Sequence, residues 1–180
     1  MLRIAVETAG RTAAPSSVSC LLPSLRAHLK CARELLRVAD YDMAVTFVSA
    51  ERMREINQQY RGVGASTDVL SFPFHEVTTP GTLPPVEFED EKDLGDIFLS
   101  LDTIQAQQTS HLTLQDELKV VATHGLCHLL GYDHDTQANA TKMAEKEREI
   151  LERCSDIDAR ASMVDVAIRR RASGDGDAKR

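Results

Sequence analysis

Apolar residues recur along this chain with two different periods, and the changes of period mark out its elements. Leu2 to Val6 reads as a first strand. Leu25, Leu29, Leu35 and Leu36 fall at helical spacing between arginines, with Pro23 near the start, which predicts an amphipathic helix over 23–39. Met43 to Val48 is rich in β-formers and predicts a strand. Ser49 suits the N-cap of a helix to about Gln59, with Met53 and Ile56 facing inward. Gly62, Gly64 and Ser66 then mark a loop, Asp68 to Phe72 reads as a buried strand closed by Pro73, and Gly95 to Leu99 as another. Thr113 can cap a long helix over 114–130. Thr136 begins a last strong helix to about Arg153, with Met143, Ile150 and Leu151 apolar.

These elements predict an α+β fold: one domain over 1–155, with a small mixed sheet of about four strands covered by helices. Between Val77 and Asp93 three prolines, one glycine and five acids predict an exposed loop inserted into it. After Ser155 the pattern weakens, and 156–180, with Arg169-Arg170-Arg171, reads as a weakly structured extension.

At 180 residues the chain can bury a proper core unaided. Its net charge of −7 excludes a global basic field for nucleic acid, leaving the local run Arg52, Arg54 and Arg61. No window reaches the run of about 18 apolar residues that a membrane helix needs. The four cysteines, Cys20, Cys31, Cys127 and Cys154, form no C-x-x-C pair, so reduced thiols in an intracellular compartment are expected. Arg3, Arg11, Arg26 and Lys30 with the single acid Glu7 are compatible with organellar targeting, although such a signal would overlap the first strand.

The candidate chemistry lies between His124 and Asp135. His124, His128 and His134 stand at offsets 0, 4 and 10, with Gly131 at offset 7. Residues four apart share a helix face, a glycine permits the reversal at the helix end, and a third imidazole is then returned toward the first two. Three neutral nitrogens and an open position describe a catalytic zinc site, here one Zn²⁺ per chain. The spacing equals that of H-E-x-x-H-x-x-G-x-x-H peptidases, whose glutamate is the general base. Here that position is Gly125, which argues for a different hydrolysis. Cys127, between two ligands, is read as a small core residue, and His28, His75 and His111, without ligand spacing, as surface residues.

This run, together with Tyr60-Arg61-Gly62 leading to Thr67-Asp68-Val69-Leu70-Ser71-Phe72-Pro73-Phe74, and with Leu94-Gly95-Asp96-Ile97-Phe98-Leu99-Ser100, resembles the YbeY family of metal-dependent endoribonucleases. The resemblance runs from the first strand to about Cys154. It implies single-strand-directed cleavage in ribosomal RNA maturation and quality control, with ribosomal RNA and the small ribosomal subunit as partners and no organic cofactor or membrane. It makes Arg61 a catalytic candidate for holding phosphate, riding on a loop that Gly62 and Gly64 allow, since a guanidinium fork matches phosphate oxygens at any working pH. His124 is both ligand and catalytic candidate. Asp68, Asp96, Asp133 and Asp135 are candidates to orient a ligand ring or face a partner. Two motifs are worded more like eukaryotic members, so a mitochondrion is expected, or the cytoplasm of a bacterium. Two other readings stay open: a degenerate metzincin-like metallopeptidase, and a non-catalytic ribosome assembly factor with a structural metal.

Overall fold

The computed structural model describes residues 1–7, 16–108 and 112–154; His111 and the extension from 156 onward lie outside them. Strands β1 (Leu2–Val6), β2 (Asp42–Phe47), β3 (Val69–Pro73) and β4 (Asp93–Leu99) form one sheet in the order β1-β2-β4-β3. β1, β2 and β4 run parallel and β3 antiparallel at the edge, a mixed four-stranded sheet as expected. Pro73 closes β3 without cost to the ladder because an edge strand has a row of amides with no sheet partner.

Six α-helices accompany the sheet among the described residues: α1 (Ser16–Ser19), α2 (Leu22–Leu35), α3 (Ala50–Arg61), α4 (Leu101–Gln107), α5 (Leu114–Leu129) and α6 (Gln137–Cys154). The inward residues of the strands, Met43, Val45, Phe47, Val69, Ile97 and Leu99, pack on Leu25 and Leu29 of α2 and on Leu118, Val121, Ala122 and Leu126 of α5. Twelve of the sixteen residues of α5 are buried, which makes this helix the centre of the domain and a rigid mount for side chains. On the other face α3 lays Met53 and Ile56 against Leu70, Phe72 and Phe98, while Asp96 remains exposed.

The β2–β4 pairing slips by one residue between Asp42↔Asp93 and Ala44↔Asp96. Gly95 accommodates this bulge with φ +108, and a Cβ there would lie 2.0 Å from the Phe72 carbonyl oxygen. Helix α4, absent from the sequence expectation, is capped by Ser100, whose hydroxyl accepts the Thr103 amide at 3.4 Å. Its inward pair, Leu101 and Ile104, is too short a pattern to announce a helix.

Three expectations are corrected here. The 77–93 segment is not exposed throughout: Leu83 packs on the core and the Gly81 amide donates to the Leu130 carbonyl at 2.8 Å, strapping the segment to the end of α5. The thiols are not all reduced, since Cys31 and Cys154 form a disulfide between α2 and α6 that their 123-residue separation does not advertise. His28 is not at the surface. It is 2% exposed beneath α5, with Nε2 2.7 Å from the Thr123 hydroxyl and Nδ1 3.3 Å from the Cys154 carbonyl.

A carbonyl only accepts, so Nδ1 of His28 carries the proton and Nε2 accepts from Thr123. Burial pushes this imidazole down to about 4, from 6.5. The unfolded chain therefore takes up the proton first, and stability present above pH 6.5 is lost as pH falls toward 4. The loss amounts to about 3 kcal/mol. Urea midpoints at pH 7 and pH 4.5 should differ much less for His28→Gln than for the wild type; equal differences would remove His28 as the cause.

Candidate metal centre and its cleft

Helix α5 starts at Thr113, whose hydroxyl accepts the Asp116 amide at 3.2 Å. It carries His124 and His128 on its last two turns, with their Nε2 atoms 3.1 Å apart. Gly131 follows at φ +77; a Cβ at this residue would meet that of Val77 at 2.6 Å, so both handedness and space require glycine. Its amide closes on the His128 carbonyl at 3.0 Å, and that of Tyr132 on Cys127 at 3.1 Å. The reversal brings the His134 ring to 5.5 Å from His124 and 5.3 Å from His128. One nitrogen from each ring lies within 4.8 Å of the others.

This donor set fits a metal. Two nitrogens bound at about 2.0–2.1 Å to one tetrahedral ion sit roughly 3.3 Å apart, close to the 3.1 Å seen. A fully buried carboxylate completes the arrangement: Glu147 Oε1 on α6 lies 2.6 Å from His124 Nδ1. The proton on Nδ1 donates to this acceptor, which leaves the Nε2 lone pair directed at the other two histidines. Glu147 was missed in the sequence, yet it left a signal. It sits four residues after Met143 and three before Ile150, on the apolar stripe of α6, where a glutamate requires a buried partner. Glu147→Ala should weaken metal binding by about 10–100-fold, measurable by chelator competition; unchanged affinity would reduce Glu147 to a packing residue.

The four aspartates have separate places. Asp133 Oδ1 accepts the His134 backbone amide at 2.8 Å, which shapes the turn that presents the third histidine. Asp135 accepts the Asn139 side-chain amide at 2.8 Å at the start of α6. Asp68, buried just before β3, accepts the Thr67 hydroxyl at 3.3 Å. Asp96 lies on the open sheet face, where partial burial and then Asp93 raise its carboxyl above the usual range. Cys127 is fully buried in the core cluster.

Arg61 is not on a loop. It is the last residue of α3, half-buried, with Gly62 capping the helix after it. Helix C-terminal carbonyls repel anions, so any anion bound here has to be met by the side chain rather than the backbone. Arg61 and His128 line one cleft of about 540 Å³ between the end of α3, β3 and the α5–α6 turn. Tyr60, Ser71, His75 and Tyr132 share its walls. His75 is thus a cleft residue, brought there by the strand end after Pro73 rather than left at the surface. Of the arginine run only Arg61 reaches the cleft; Arg52 pairs with Glu55 at 2.9 Å and Glu7 at 3.6 Å.

Gly125 faces the sheet. A Cβ on it would stand 3.1 Å from Ile97 Cγ2 and 3.1 Å from Ser71 Oγ, whose hydroxyl already donates to the Gly125 carbonyl at 3.2 Å. Close packing of α5 on β3 and β4 leaves no room for the glutamate of a peptidase. Gly125→Glu should therefore destabilise the fold, by about 1–3 kcal/mol from overpacking alone, and confer no peptidase activity. A variant as stable as wild type that cleaves peptides would refute this account of the position.

A cleft lined by an arginine and by one of three convergent imidazoles, on an α+β frame, is the layout of a metal-site hydrolase. The family model described as Endoribonuclease YbeY matches residues 17–155, and the chain belongs to that family, one of hydrolases acting on RNA. The chain is 41% identical over 128 residues to the human Endoribonuclease YbeY, covering 71% of this chain and 77% of that one. It is 40% identical over 126 residues to the protein of the same name from Limosilactobacillus reuteri, at 67% and 79% coverage. The solution structure of TM1509 from Thermotoga maritima superposes with a TM-score of 0.56 at 29% identity, over 86% of this chain and 89% of that one.

Proposed function

We propose that this chain is a zinc-dependent endoribonuclease that cleaves single-stranded RNA during ribosomal RNA maturation and ribosome quality control. The observation that carries the reading is that Arg61 lines the same cleft as His128, one of the three convergent histidines. His124, His128 and His134 would hold the zinc ion, which would supply positive charge and Lewis acidity for phosphodiester hydrolysis. Arg61 binds a phosphate oxygen pair through its fork and stabilises charge as it builds on phosphorus. Glu147 fixes the ring of His124, and Asp133 the turn that carries His134, so the ligand set is organised before substrate arrives. No carboxylate stands at position 125 to serve peptide hydrolysis.

With a net charge of −7 the chain offers naked RNA little long-range attraction. Delivery by proteins of the small ribosomal subunit supplies the missing selectivity in this proposal, with the acidic sheet face around Asp96 available to a basic partner. The site of action is the mitochondrial ribosome, on the wording of the two motifs. Incubating purified protein with unstructured RNA and with a peptide pool tests the reading. RNA cleavage with intact peptides is expected, with binding that weakens steeply as salt rises; peptide cleavage with intact RNA would overturn it.

A further inference from the structure

Met1, Tyr60, Phe74 and Phe88 are the large apolar side chains exposed among the described residues, and of them Tyr60, 62% exposed, is the one that lines the cleft. It precedes Arg61 on the last turn of α3 and lines the same cleft. Its ring is not loose: Phe72 meets it edge to face with centroids 4.9 Å apart, and Phe98 backs Phe72 in the same manner at 5.6 Å. This three-ring ladder runs from the sheet to the cleft and holds the outermost ring in place while one side stays available.

Resting on the endoribonuclease reading above, we propose that Tyr60 is the stacking platform for one unpaired base of the RNA, next to the phosphate held by Arg61. Two neighbouring residues then grip adjacent parts of a single nucleotide, its base and its phosphate. A ring accepts any base, because each has a π-face, so the platform adds affinity without reading sequence. It does select against duplex, since a paired base in A-form RNA already has its faces covered by neighbours. Single-strand preference is thereby a property of a named side chain, and the platform sets which phosphate reaches Arg61 and the three histidines.

The test uses a short, unstructured, fully 2′-O-methylated oligonucleotide, which binds but resists cleavage, with 2-aminopurine placed at each position in turn. Wild-type protein should quench the fluorescence at one position. Tyr60→Ala should abolish that quench and weaken binding roughly five- to 150-fold, whereas Tyr60→Phe and Tyr60→Trp retain both. A duplex of the same sequence should show no quench. Quenching by Tyr60→Ala equal to wild type, or no position quenched by wild type, overturns the platform. Cleavage of the unmodified RNA by wild type is scored separately: its absence would count against the endoribonuclease reading, while the quench alone decides the role of Tyr60.

Discussion

Arg61→Ala should lose RNA cleavage by on the order of 10²–10³-fold, the usual cost of removing a group that stabilises developing charge. Metal content and melting temperature should stay near wild type, because Arg61 is half-buried at a helix end and belongs to neither core cluster. Arg61→Lys should recover little, since an ammonium cannot reproduce the bidentate fork. Gly62 ends α3 immediately after this residue, so its position is set by a fixed helix terminus rather than by a mobile loop. A fully active Arg61→Ala protein would remove the arginine from the mechanism and leave the cleft without a phosphate anchor.

The second large effect is expected from His128→Ala. Of the three convergent histidines it alone lines the cleft, so the proposed mechanism has metal and substrate meet there. Two remaining imidazoles hold a metal poorly, and the variant should purify with none. Losing several kcal/mol of charge stabilisation corresponds to on the order of 10³-fold or more in rate. Elemental analysis and a cleavage assay read the two consequences on one sample. A variant that loses its metal yet cleaves at the wild-type rate would reduce the centre to a structural one.

The fold and the convergence of the three histidines were legible because both rest on local patterns. A helix face fixes the offset between His124 and His128, and Gly131 announces the turn that returns His134. The strands showed themselves by β-rich runs between turn residues, and the four-stranded mixed sheet follows. What escaped is what tertiary packing decides. Glu147 finds His124 only once α6 lies on α5, and His75 enters the cleft only because β3 ends beside it. His28 and the Cys31–Cys154 bridge join segments more than ninety residues apart, with no periodic signature to mark them. The glycines after Arg61 suggest a loop there; instead Gly62 takes a left-handed cap and α3 reaches Arg61. The missing peptidase base was visible as a glycine, but its cause, contact with Ile97 and Ser71, lies in the sheet.

The most direct test strips wild-type protein of metal with a chelator and returns zinc in measured steps while cleavage of an unstructured RNA is followed. Activity should be absent in the stripped protein and rise to a plateau at one zinc per chain, with the same titration restoring nothing to His128→Ala. Full-rate cleavage by metal-free protein, or zinc-restored activity in His128→Ala equal to wild type, would contradict the claim that the three-histidine centre beside Arg61 is where RNA is cut.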